Sequence, residues 1–438
     1  MELTNGSRIA VIGAGPAGSL TTYFLLEMAR RKGISLSVDI FEKKNFYGFG
    51  PKSCNHCGGI ISESLIQMLA MEGIILLPNV IQRGVQSYVL HSENRSVGIQ
   101  TPSKEKRIAS VYRGAGPRGT KDASWSSFDG FLQGMLWEKG VNIVNKRVVS
   151  IEMEKGHPIV NVDGGVHGPY DFLVGAVGVN SRSHRLFNDL LGQPEPETAR
   201  CYISELPLGR EGVDKIIGNS MHVFLVDMPG VEFAAIIPKK EYATVCMLGD
   251  ITPKIVKQFL QSPEVLELFK GDPSMLEKAC NCLPKINMAG LRRPYMDRIA
   301  LVGDCGTTRL YKDGIGAAYR LSKALASTAV FKGISEEAFK KGYLPSVNRM
   351  RRDNNIGKMV FMVIEVFSAY RLLRLSVISM VKKEQENENV PLHMSTILWD
   401  LFTGSAPYTD IAIRCLHPGF IGRFIWTTLK TLFSKTQD

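Results

Sequence analysis

Three glycines near the start of the chain constrain its fold more tightly than any other feature. Gly13-Ala14-Gly15-Pro16-Ala17-Gly18 follows a short apolar run, Arg8 to Ile12, and opens an apolar stretch from about Ala17 to Arg31 that reads as a helix. A second strand-like run, Leu36 to Phe41, comes next. Strand, glycine turn, helix and strand make one βαβ unit. In that setting each glycine has a physical task. Gly13 permits the tight turn, Gly15 lets the backbone approach a pyrophosphate, and Gly18 lets helix and strand pack closely. The helix N-terminus then directs its unpaired N–H groups at phosphate. Glu42, 24 residues after Gly18, ends the second strand and can accept from both hydroxyls of a ribose. An acid there favours an adenosine with a free 2′-hydroxyl, as in FAD or NAD rather than NADP.

The remaining length allows two or three domains, and 44% hydrophobic residues are enough to bury a substantial core. Alternating runs between 85 and 112 predict strands, and a helix is expected from about Ser127 to Lys139, leading into a strand at Val141–Val144. Residues 147–152 and 158–162 read as a hairpin, and Asp171–Val177 as a buried strand. Residues 113–124 read as a flexible basic loop. Four β-rich runs, Cys201–Leu206, Ser220–Val226, Phe233–Pro238 and Thr244–Leu248, predict a second sheet. Helices are expected at about 253–270 and 273–282, a strand at Arg298–Val302 and a helix at Gly316–Phe331. Met359–Val381 has an apolar helix pattern broken by Glu365, Arg371 and Arg374, charges that argue against a bilayer crossing. A polar linker is expected at 384–389.

Two further segments bear on the nucleotide. Gly303-Asp304-Cys305-Gly306, then Gly314-Ile315-Gly316 and a helix through Leu321 and Ala324, has strand–loop–helix form. An Asp after a buried strand can hold a ribityl or phosphate oxygen, and the glycines can bring N–H groups to a flavin ring edge. Tyr170 to Arg182, with Gly175 and Gly178, is a third piece. In this order and spacing the segments resemble the flavin-dependent oxidoreductases of the para-hydroxybenzoate hydroxylase type. Within that group the chain resembles the geranylgeranyl reductase family, whose Cys-Gly-Gly loop is matched by Cys57-Gly58-Gly59.

The resemblance spans roughly residues 7–335 and implies an α/β fold. A Rossmann-type FAD-binding domain (1–85, 126–182 and 286–335) would carry an inserted antiparallel β-sheet substrate domain (86–125 and 183–285) and a C-terminal helical region (336–438). It implies FAD contacts at Gly13, Ala14, Gly15, Pro16, Ala17, Gly18, Glu42, Lys43, Gly58, Gly59, Val148, Gly303, Asp304, Gly314, Ile315 and Gly316. Cys57 is the candidate catalytic residue, beside the flavin ring. The implied reaction is reduction of isoprenoid C=C bonds, with a hydride to one carbon and a proton to the other inside a dry tunnel. NAD(P)H or a ferredoxin-like protein would be the electron donor. Three positions depart from the group. Val177 stands where an Asp is frequent, Trp125 where an Arg precedes Phe128-Asp129, and Tyr311 where a Pro follows the Gly-Asp motif. The loss at 177 weighs against NADPH as direct reductant and against a monooxygenase. A flavin monooxygenase or halogenase, a quinone- or partner-linked dehydrogenase, and a flavin- or lipid-binding protein without turnover are the alternatives.

Cys54-Asn55-His56-Cys57 has the spacing of a redox pair or of half a metal site, for which Cys280 and Cys282 are the nearby-spaced complements. The favoured reading is cysteines without a partner, and no metal site is expected. The net charge of +11 comes from Lys and Arg spread along the chain, with no nucleic-acid module pattern. No basic segment precedes an apolar run at the N-terminus, so a cytoplasmic setting is expected. At the other end Phe420, Ile421, Phe424, Ile425, Leu429, Leu432 and Phe433 fall on one helical face, flanked by Arg414, Arg423, Lys430 and Lys435. That pattern fits either a helix lying on a membrane surface, at its inner face, or one packed on its own domain or on a second subunit.

Overall fold

A computed structural model describes residues 1–101, 108–120 and 125–434. Lys435 and residues 121–124 of the expected basic loop lie outside them.

The βαβ unit forms as its pattern requires. Strand Ser7–Ile12 pairs in parallel with Leu36–Phe41 on one side and with Phe172–Gly175 on the other. Asn142–Val144 extends the sheet beyond Leu36–Phe41. Ile299–Leu301 and the antiparallel Tyr295–Met296 extend it at the opposite edge. Both faces are covered, which is why the strand is apolar nearly throughout. Ile9 and Val11 face the helices, whereas Ala10 and Ile12 face a three-stranded antiparallel layer formed by Val148–Glu154, His157–Val162 and Gly165–His167.

On the helical side Pro16–Lys32 lies against Gly314–Phe331. Thr21 Oγ1 donates to Ser322 Oγ at 2.8 Å, and the rings of Phe24 and Tyr319 meet edge to face at 5.4 Å. The first helix stops at Gly33, whose φ of 77° is left-handed and whose N–H closes the last turn.

The second sheet has eight strands. Its antiparallel centre, Thr198–Leu206, Ala243–Gly249, Val231–Pro238 and Ser220–Phe224, continues through a parallel pairing into the Ser87–Ser92/Arg95–Gln100 hairpin. Alternation sorts its residues cleanly. Tyr202, Ala234, Ile236, Val245 and Met247 point outward, under helices Pro253–Leu260 and Pro263–Leu268. Cys201, Ile203, Phe233, Ala235, Ile237, Cys246 and Leu248 point inward, into a core shared with Trp399, Phe402, Tyr408 and other C-terminal residues.

The structure departs from the sequence pattern in two places. Residues 273–282 are not a helix: Pro273–Leu276 makes a single 3-10 turn, and Cys280–Cys282 joins the sheet opposite Ile203–Glu205. Pairing with an available edge outweighs the modest helical preference of Met275 to Ala279. The apolar pattern at 359–381 is two helices, Leu344–Ala369 and Arg371–Glu386, separated at Tyr370, whose backbone is extended. The second runs into the expected linker, ending at Glu386. Helices Glu63–Met71, His184–Leu191, His393–Thr403 and Tyr408–Cys415 were not anticipated.

Candidate functional site

The glycine turn shows which residues the protein itself demands. A side chain on Gly13, at φ +102°, would place its Cβ 2.4 Å from the Ala176 carbonyl oxygen, and one on Gly18 would stand 1.9 Å from the Gly13 oxygen. Gly15 is different. Its Cβ would meet nothing nearer than Asn55 Nδ2 at 3.6 Å. It begins a helix with no side-chain cap and no acid in the first turn. Internal packing therefore does not require glycine there, whereas close approach of a ligand to the backbone would.

Two cations stand at this helix end. Lys44 Nζ donates to the Cys54 carbonyl at 3.0 Å and to Asn55 Oδ1 at 2.9 Å. Arg113 grips buried Asp129 with two N–H groups, one of them at 3.0 Å, and Asn55 donates to the same carboxylate. Their combined field registers at His56. Burial, then Lys44 and Arg113, push this imidazole down to about 4, and its Nδ1 is buried without a hydrogen-bond partner. Cations gathered at the positive end of a helix are the chemistry of a phosphate site. Glu42 closes the other side, accepting from the N–H of Ala14 at 2.9 Å and of Lys44 at 2.8 Å. Desolvation raises its carboxyl above the ordinary range, with those two N–H groups opposing. Its acceptor capacity still exceeds these two bonds, so it can also receive ribose hydroxyls. These residues fit the adenosine and pyrophosphate portion of a dinucleotide.

Arg113, Asn55 and Lys44 are not singled out by sequence, and Asp129 enters there only through the Phe128-Asp129 pair. The departure at Trp125 had implied that the middle helix lacks its arginine. The guanidinium beside Asp129 comes instead from Arg113, just after strand Ile108–Val111, while Trp125 Nε1 donates to the Ala115 carbonyl at 2.6 Å. A buried Asp in the first turn of Phe128–Glu138 was the available signal, because it needs a cation.

The Gly303–Gly316 segment converges on the same turn. Gly303 is left-handed, at φ 75°, and so close to Ala17 that a Cβ would lie 2.7 Å from the Ala17 side chain. This contact brings Asp304 beside the first helix, where burial raises its carboxyl above the usual range. Gly314 is exposed and Ile315 buried. The Gly316 N–H is already engaged, donating to Asp313 Oδ1 at 3.1 Å. Of the other predicted contacts, Lys43 is exposed beside Glu42, and Val148 packs in the cluster with Ala10 and Ile12.

The Cys-Gly-Gly loop lies against the inner face of the large sheet. Gly59 is left-handed and fills a gap against the Val111 carbonyl, where a Cβ would stand 2.0 Å away. A Cβ on Gly58 would be 3.2 Å from Ile237 and 3.5 Å from Cys246 Sγ. Cys57 Sγ accepts from the Gly59 N–H at 3.4 Å. Cys54, Cys57, Cys280 and Cys282 line one small cavity of about 30 Å³ beside Arg113, so the two cysteine motifs do meet in space. Burial pushes the Cys54 thiol up, Cys246 to about 11 and Cys282 to about 12, so these sulfurs stay protonated at neutral pH. Among the described residues no three His, Cys, Asp or Glu are placed to hold a metal ion. Deeper on the same face, buried Lys239 faces Glu205 at 3.4 Å and lies over the Tyr112 ring.

No protein-family profile and no curated protein sequence matches the chain. Solved structures do. A geranylgeranyl bacteriochlorophyll reductase-like protein from Thermoplasma acidophilum superposes with a TM-score of 0.64 at 13% identity, over 94% of this chain and 99% of that one. The halogenase PltM, in complex with phloroglucinol and FAD, gives 0.60 at 13% identity over 98% and 92%. The 2,6-dihydroxypyridine-3-hydroxylase of Arthrobacter nicotinovorans gives 0.59 at 16% identity over 83% and 94%. At such identities the likeness establishes architecture: the chain has the α/β fold of these proteins, a Rossmann-type dinucleotide-binding unit joined to a second, largely antiparallel sheet.

Proposed function

We propose that the chain is a FAD-dependent oxidoreductase that reduces C=C bonds of an isoprenoid or other hydrophobic substrate. One observation carries the cofactor. The uncapped helix end at Gly15, where a side chain would meet only ordinary contacts, lies beside Arg113 and beside the Asn55 amide that Lys44 holds. These residues would hold the pyrophosphate, Glu42 the ribose, and Asp304 the ribityl or phosphate oxygens. When bound, the flavin supplies a hydride. The chain's own part would be to seat the substrate at Ile203, which lines the small cavity beside the Cys-Gly-Gly loop, at the edge of an inner sheet face that is elsewhere an apolar wall packed under the C-terminal helices. That wall favours a hydrocarbon substrate, and the Thermoplasma neighbour's name points to the same chemistry. NAD(P)H or a ferredoxin-like protein is the proposed electron donor.

We further propose that the protein works on an anionic membrane surface. No described helix is long and apolar enough to cross a bilayer. Met359, Met362, Val363 and Val366 are nevertheless exposed on one helix, as are Ile425, Trp426, Leu429 and Leu432 on the last. Phe367 and Phe424, in ring contact at 5.1 Å, bring these two helices side by side. Apolar exposure on adjoining helices beside Arg423 and Lys430 suits a surface with anionic headgroups.

The test is to purify the protein, record its visible spectrum, identify any flavin by mass, photoreduce it without oxygen and add a geranylgeranyl lipid. FAD reoxidised by the lipid is the expected result. Oxygen-dependent formation of a hydroxylated product would replace the reductase with a monooxygenase. Colourless protein that takes up no FAD would end the flavoenzyme reading.

A further inference from the structure

We propose that Lys312 is the acid that protonates the substrate double bond, a role that rests on the reductase reading above. The backbone around it is unusual. Tyr311 and Asp313, on either side, are both left-handed, at φ 56° and 55°. Two such non-glycine residues around one side chain are costly and persist only where neighbours enforce them. The enforcement comes from the C-terminal helices. Asn354 holds the Leu310 N–H and the Thr308 carbonyl, at 3.0 and 2.8 Å, and Tyr408 donates to the Leu310 carbonyl. Buried Arg309 donates to the carbonyls of Gly404 and Ala406. Gly404 abuts the turn so closely that a Cβ would stand 2.7 Å from that of Asp313.

The strained turn places the Lys312 ammonium over the ring of Phe233, 2.7 Å from its centroid, on the inner sheet face. Cys246 belongs to that face and lies next to Gly58 of the Cys-Gly-Gly loop, so close that a side chain there would meet its sulfur, and Lys312 thus shares one apolar region with the loop expected at the flavin. The titratable groups acting on it there are the thiols of Cys246 and Cys201. The neighbouring Asp313 carboxylate is turned away, to the Gly316 N–H, Arg320 and Arg309. Burial brings the Lys312 ammonium down to about 7, where an acid is both charged and willing to release its proton. Other acids on this face suit the task less well. Lys239 is tied to Glu205, and burial raises the thiols of Cys201, Cys246 and Cys282. In the step, an N–H bond of Lys312 breaks and a C–H bond forms at one alkene carbon as the hydride of the reduced flavin reaches the other. The C=C π bond is replaced by two C–H bonds, and Lys312 is left a neutral amine that recovers its proton from water.

Two variants and two readouts test this. Lys312→Met keeps the stem without the acid, and Lys312→Arg keeps a charge that does not ionise near neutrality. With FAD bound and photoreduced, wild-type reoxidation by a geranylgeranyl lipid should slow about tenfold per pH unit above about 7. Both variants, with unchanged flavin spectra, should react at least about 100-fold more slowly and lose that pH dependence. Either variant matching the wild type in rate and pH profile overturns the role. The second readout needs no substrate. Between about 7 and the ordinary lysine value near 10.4, the unfolded chain binds the additional proton, so wild-type stability relative to Lys312→Met should rise with pH across that window. A flat difference in urea midpoint shows that Lys312 does not titrate there and overturns the proposal. A wild type that passes this second test but never reoxidises with an alkene defeats the reductase reading and this role with it.

Discussion

Of the three glycines in the first turn, two are demanded by the protein's own backbone and one is left for a ligand. The distinction predicts opposite phenotypes. Gly15→Val should fold, because a Cβ there meets only ordinary contacts, but should not retain FAD. Gly18→Ala drives a methyl into the Gly13 carbonyl and should lower thermal stability as well as flavin content. Absorbance near 450 nm beside a melting curve separates the two, and a yellow Gly15→Val protein would remove the dinucleotide from this turn. The Arg113–Asp129 pair obeys a different rule. Asp129→Ala leaves a guanidinium buried without its counter-ion, which should cost about 3–5 kcal/mol in urea unfolding. Arg113→Met combined with Asp129→Asn should recover most of that stability without restoring FAD affinity, since the positive charge is gone. Equal FAD affinity in this double variant would show that the pair serves only the fold.

At the scale of elements, legibility followed the source of the physical signal. The βαβ unit, the large sheet's central strands and the helix after Gly314 carry their own periodicity and punctuation, and all were readable. Cys280–Cys282 and the short C-terminal helices were not, because partners distant in sequence decide their conformation: the edge at Ile203–Glu205, and the inner face that receives Trp399 and Phe402. The candidate site divides the same way. Its glycines and Glu42 sit in a local motif, whereas Arg113 reaches Asp129 from another segment, and Lys312 is placed by Asn354, Gly404 and Tyr408. The last helix is an intermediate case. Its amphipathic pattern was plain, but Phe420 and Phe424 turn inward, leaving Ile425, Trp426, Leu429 and Leu432 exposed. Replacing Ile425, Trp426 and Leu429 with Ser should therefore change stability by no more than about 0.5 kcal/mol each. It should abolish co-sedimentation with phosphatidylglycerol vesicles, and undiminished sedimentation would take the membrane surface off this helix.

At the scale of the whole molecule, the C-terminal region is not an appendage to a flavoprotein core. Its helices bury the inner face of the large sheet and hold the 308–313 turn, so sheet, Gly303–Gly316 segment and tail stand or fall together. Two truncations distinguish this arrangement from a detachable tail. Ending the chain after Leu416 removes the final helix, most of whose large side chains are exposed, and should leave a soluble protein that binds FAD and melts within a few degrees of the full chain. Ending it after Leu392 removes Trp399, Phe402 and Tyr408 from the shared core. It also strips Arg309 of the Gly404 and Ala406 carbonyls, leaving a buried guanidinium with fewer acceptors. Losing even one fully buried aromatic costs about 3–5 kcal/mol, and three together approach the whole stability of an ordinary domain. The shorter protein should aggregate or lose its cooperative transition, with FAD in excess no remedy because the Gly303–Gly316 segment has lost its support. If it instead melts cooperatively and retains FAD, the dinucleotide unit is independent of the tail and Lys312 has lost the scaffold on which its proposed role depends.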